Sequence, residues 1–106
     1  MSKLSEILKS EIKDWRIEYR AHATRRMFQR DIEEDELLFV LRNGQIIESY
    51  AMDFPFPSVL VSGRTPNNRP LHVVAAADAT EKRLYIITTY EPDPLKWTNN
   101  FERRME

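Results

Sequence analysis

The chain has no cysteine and only two glycines among its 106 residues. The first absence excludes disulfides and thiolate zinc sites, and nothing then points to an oxidising compartment. The second leaves no glycine-rich phosphate loop, no linker and no low-complexity segment. No apolar run approaches the ~20 residues of a membrane-spanning helix. The N-terminal "MSKLSEILKSEIKDW" alternates charge with apolar residues and lacks the apolar block of a signal peptide. A soluble, cytoplasmic protein away from membranes is the expectation. An excess of charge of one sign is missing too: 16 basic residues face 17 acidic ones. That balance argues against a protein that coats nucleic acid indiscriminately, which draws on broad phosphate neutralisation. It leaves room for a small basic site on a neutral body. There is no nucleophile elbow and no His-Glu-x-x-His. The carboxylates Asp53, Asp78, Glu91 and Asp93 stand at turns and strand ends, so no metal or other cofactor is expected.

What is there reads as one domain, 1–106, with an ordinary apolar content of 42%. Leu4, Ile7, Leu8, Ile12 and Trp15 recur at helical spacing over about 3–15, with Ser2 as a candidate N-cap. A second helix is expected over about 21–30 and a third from about Glu33 to Arg42, its buried side made by Leu37, Leu38, Val40 and Leu41. Asn43-Gly44 stops it. After Gly44 the pattern becomes β-rich: "QIIESYAM", "SVLVSG", "LHVVAAAD" and "LYIITTY" are strands separated by "DFPFP", "TPNNRP" and "ATEKR". Helices over about 3–42, a sheet over about 45–90 and a closing segment over 91–106 anchored by Trp97 give an α+β fold. Its N-terminal helices are expected on one face of a small antiparallel sheet.

The stretch "YRAHATRRMFQRDI" concentrates cations. At about 100° per residue, Ala23, Thr24, Met27 and Phe28 lie on one arc, and His22, Arg25, Arg26, Gln29 and Arg30 fill the other. Like charges one turn apart repel. Something must offset that: the acidic "EEDE" that follows, Asp14 and Glu18, or an anion from outside. Histidine titrates near neutrality and can move a proton, and arginine offers a planar fork of donors to phosphate. On "LYIITTY", Thr88 and Tyr90 fall two apart on one strand face and could add hydroxyls, although packing explains strand-forming residues equally well. His72, flanked by apolar strand residues, reads either as a ligand-binding group or as a hydrogen-bonded structural histidine.

The blocks "HATRRMFQRDI", "LRNGQIIESY", "PSVLVSG", "RPLHVVAAAD" and "IITTYEPDPLKW" resemble, in order, the signature of the bacterial domain of unknown function 4258. That resemblance covers roughly 19–97 and implies similarity in fold to the RelE and BrnT toxins, small metal-independent ribonucleases that partner an antitoxin. It places the family's histidine at His22, its arginines at Arg26 and Arg30, its Leu-His histidine at His72, and its late threonine and tyrosine at Thr88 and Tyr90. Two departures stand out. Asp31 replaces a glycine, a change that a left-handed turn tolerates better from aspartate than from most residues. Glu33 replaces a serine or threonine N-cap. The resemblance implies a toxin-like endoribonuclease with His22, Arg26, Arg30, Thr88 and Tyr90 as catalytic candidates. Arg25, Gln29 and His72 are then the candidates for binding substrate, and RNA and an antitoxin are the partners. The alternative is a non-catalytic domain that grips an acidic partner through the His22/Arg26/Arg30 face.

Overall fold

A computed structural model describes residues 8, 12–98 and 100–105. Of the helix expected over 3–15, most lies outside the described residues. Leu8, Ile12 and Trp15 are buried in the core, and Ile12–Asp14 form a 3-10 turn. Then comes a short strand that helical periodicity concealed, β1 (Arg16–Tyr19). Two helices follow, α1 (Ala21–Gln29) and α2 (Glu34–Asn43). Four strands complete the order: β2 (Gln45–Tyr50), β3 (Ser58–Arg64), β4 (Pro70–Asp78) and β5 (Arg83–Tyr90).

The five strands form one sheet in the order β1-β5-β4-β3-β2. β2 to β5 are antiparallel neighbours, as hairpin-linked runs should be, whereas β1 adds to the edge of β5 in parallel. The sheet is therefore mixed rather than wholly antiparallel. A parallel partner for β5 requires a long crossover, which α1, α2 and the other strands supply. α1 packs on β5, and α2 packs on β3 and β4. Leu37, Val40 and Leu41 of α2 meet Val59, Val61, Val73, Ala75, Leu84 and Ile86 of the sheet, all buried.

The turn between the helices is a Schellman motif. The Ile32 N–H reaches the Met27 carbonyl at 2.8 Å, the Asp31 N–H reaches Phe28 at 3.4 Å, and Asp31 has φ 54°. The glycine-to-aspartate departure thus falls on a left-handed residue, and aspartate fills it. Glu33 forms a full capping box with Glu36, so the departure at that position keeps the helix start capped. Gly44 closes α2 with φ −81°, so left-handed freedom is not its role. A Cβ there would lie 2.5 Å from the Ser62 carbonyl oxygen and 2.7 Å from that of Val40, and glycine permits this contact between helix end and β3.

A bulge in β5 decides which side chains face the helices. Val74 pairs with Thr88, but its neighbour Ala75 pairs with Ile86, which leaves Ile87 as the extra residue. Unbroken alternation would put Thr88 and Tyr90 on the face of Leu84 and Ile86. The bulge instead sends them to the opposite face, beside Val74 and His72, and Thr89 turns into the core. On that second face the C-terminal segment folds back, with Trp97 buried and bridged to Arg104.

Candidate functional site

β1 ends at Tyr19, and the Arg20 N–H bonds to the Ile86 carbonyl at 2.9 Å, so α1 starts beside the second half of β5. At that edge a cleft of about 520 Å³ opens between α1, β5 and the C-terminal segment. His22, Arg26 and Arg30, at i, i+4 and i+8, line one wall. Thr88 and Tyr90, delivered by the bulge, line the floor, and Trp97 and Arg104 lie opposite. Glu91, Asp93 and Lys96 form the rim. All five residues expected to be catalytic therefore meet in one open cavity.

The charges in the cleft are unevenly satisfied. Glu91 is held by Arg69, and Asp93 accepts the Leu95 N–H at 2.8 Å. Arg104 is paired with Glu48 at 2.9 Å and lies 4.7 Å over the Trp97 ring. This pairing holds the Glu48 carboxyl below its usual range. Burial, with Glu48 adjacent, pushes the Tyr50 phenol up to about 12. Arg26, Arg30 and Lys96 have no carboxylate within 4.0 Å among the described residues. Several acids that might have paired with the arginine face are engaged elsewhere, and Asp14 and Asp35 form no ion pair with it. Glu18 lies 3.6 Å from Arg83, Glu34 accepts the Tyr19 hydroxyl at 2.5 Å, and Glu36 caps α2 and lies 3.5 Å from Arg69. Among the described residues, no carboxylate offsets the repulsion along α1.

Three expected residues lie elsewhere. Arg25 and Gln29 are exposed on α1 but do not line the cleft. His72 is fully buried and does not line the cleft. Its Nε2 lies 2.7 Å from the Phe101 carbonyl oxygen, its Nδ1 lies 3.3 Å from the Tyr90 hydroxyl, and Trp97 packs edge-on at 4.5 Å. Burial lowers its pKa, which keeps the ring neutral. Phe28, expected on the packing arc of α1, is instead 89% exposed, while Ala23 is buried.

Arg69 was not legible in the sequence, where it reads as part of a turn. Its Nη1 donates to the Asp31 carbonyl at 2.8 Å and its Nη2 to that of Arg30, while its Nε pairs with Glu91. One guanidinium thus ties the end of α1 to the end of β5, two of the elements that line the cleft. Among the described residues, no three His, Asp or Glu side chains converge as a metal ion would need.

Fold and cleft together define a small α+β protein with a cationic, hydroxyl-floored groove at the edge of its sheet. The family model for the domain of unknown function DUF4258 matches residues 19–91, more than two thirds of the chain, and the chain belongs to that family. No curated protein and no solved structure matches it.

Proposed function

We propose that this chain is a toxin-like endoribonuclease that works without a metal ion. The observation that carries this reading is the convergence of His22 with Arg26 and Arg30, both unpaired among the described residues, over the hydroxyls of Thr88 and Tyr90. A phosphodiester in the cleft receives the guanidinium forks on its non-bridging oxygens, where negative charge builds as the phosphorus becomes five-coordinate. The ribose 2′-oxygen attacks phosphorus and gives its proton to His22, the bond to the 5′-oxygen breaks, and that oxygen takes a proton from Lys96. The products are a 2′,3′-cyclic phosphate and a 5′-hydroxyl. The similarity to the RelE and BrnT toxins that the sequence resemblance implies fits this chemistry, but a fold does not carry a function by itself.

A second reading is favoured by one observation, the exposed Phe28 ring on α1, beside Arg25 and Gln29. An exposed aromatic on a helix that also carries exposed Arg25 suits an acidic, amphipathic partner segment, as an antitoxin would offer. The two readings separate on expression in cells. As a ribonuclease, the wild type arrests growth and His22→Ala does not. As a binding domain only, neither arrests growth, and Arg26→Glu abolishes partner capture while His22→Ala retains it.

A further inference from the structure

The buried histidine determines how Tyr90 meets a ligand. A carbonyl oxygen only accepts, so the 2.7 Å contact from His72 Nε2 to the Phe101 carbonyl requires a hydrogen on Nε2. That carbonyl is held in place twice over. The Ser62 hydroxyl donates to it at 3.1 Å, and Phe101 occupies the left-handed region at φ 60°, a costly conformation for a bulky side chain that the surrounding structure must maintain. In the neutral ring the other nitrogen, Nδ1, is then an acceptor. The group facing it at 3.3 Å is the Tyr90 hydroxyl. Tyr90, which lines the cleft, therefore commits its only hydrogen to His72, and to any further partner its hydroxyl offers only lone pairs.

The other polar groups of the cleft make that polarity informative. Arg26, Arg30 and Lys96 are pure donors, suited to phosphate oxygens. The carboxylates at the rim are already engaged, Glu91 by Arg69 and Asp93 by its own turn. An oriented acceptor on the floor, next to a phosphate-binding wall, suits a ligand hydroxyl adjacent to a phosphate. In a nucleic acid strand the ribose 2′-hydroxyl is that group, and it is the one that separates RNA from DNA.

We infer that Tyr90 is the residue by which the cleft selects RNA over DNA, accepting a hydrogen bond from the 2′-hydroxyl of a nucleotide flanking the one whose 2′-oxygen attacks, with buried His72 as the positioning residue that fixes this polarity. The inference rests on the ribonuclease reading of the site, and its test distinguishes the two. Binding of one short single-stranded sequence is measured as RNA, as DNA and as 2′-fluoro RNA, which keeps the ribose-like sugar pucker but has no O–H to donate. A His22→Ala background prevents the RNA from being consumed.

The expected result is a preference of about three- to tenfold for RNA over the 2′-fluoro strand, the size of one neutral hydrogen bond. Tyr90→Phe should collapse that preference to unity. Nitrogen-15 NMR of the two histidines at neutral pH should show His72 with its hydrogen on Nε2. Equal binding of RNA and 2′-fluoro RNA, an unchanged preference in Tyr90→Phe, or a hydrogen on Nδ1 overturns the inference and leaves the ribonuclease reading standing. Failure of every strand to bind overturns both. Arg26→Ala should weaken all three strands together.

Discussion

Replacing Arg69 by methionine tests how the cleft is built. The substitution keeps most of the apolar stem and removes the guanidinium, whose donors reach the carbonyls of Arg30 and Asp31 and the carboxylates of Glu91 and Glu36. A hydrogen bond involving a charged group is worth about 1.5–3 kcal/mol. The full value does not apply four times, because both carbonyl-bearing residues and Glu91 are exposed and regain water when the guanidinium leaves. One such bond counted whole, with the others discounted, gives a loss of about 2–3 kcal/mol. At about 4–8 °C per kcal/mol for a domain near this size, the melting midpoint should fall by about 10–20 °C, read by circular dichroism. Arg69→Lys keeps the charge but not the fork, and should recover less than half of that loss. A midpoint for Arg69→Met within about 2 °C of wild type, the range of an ordinary surface substitution, would refute the claim that this side chain ties α1 to β5.

Other perturbations follow from the same geometry. Gly44→Ala drives a Cβ against two backbone oxygens, at 2.5 and 2.7 Å, and should cost about 1–3 kcal/mol by denaturant titration. Stability should fall on acidification in two steps. The unfolded chain protonates His72 near its ordinary 6.5, whereas the buried ring resists until lower pH, so below 6.5 the unfolded state binds more protons and gains. Glu48, held low by Arg104, adds a second loss as pH falls below the usual 4.5. Urea midpoints that stay flat from pH 7 to pH 5 would contradict the first step. Phe28→Ser should leave the melting midpoint within about 2 °C, since the ring is in water and buries nothing.

The helical phase of 21–30 was legible because its period is local: His22, Arg26 and Arg30 follow from spacing alone, and they do line one wall. The four antiparallel strands were legible for the same reason. β1 was not, since Arg16–Tyr19 is only four residues long and gains its strand character from a partner nearly seventy positions away. The bulge at Ile87 left no sequence signal, yet it delivers Thr88 and Tyr90 to the cleft rather than to the core. Arg69 was hidden because its partners at 30, 31, 36 and 91 come together only in the folded chain. Phe28 shows the limit of arc arguments. A helix of nine residues packed on one strand buries a narrow stripe, and this ring falls outside it.

The most direct test of the central claim is cleavage of a single-stranded RNA by the purified, partner-free chain in the presence of EDTA, with the product ends identified. The account predicts 2′,3′-cyclic phosphate and 5′-hydroxyl ends. It also predicts a loss of about 10²- to 10⁴-fold in His22→Ala, the usual worth of a general acid or base, at an unchanged melting midpoint. No cleavage by the wild type, or His22→Ala cleaving at the wild-type rate, would contradict it.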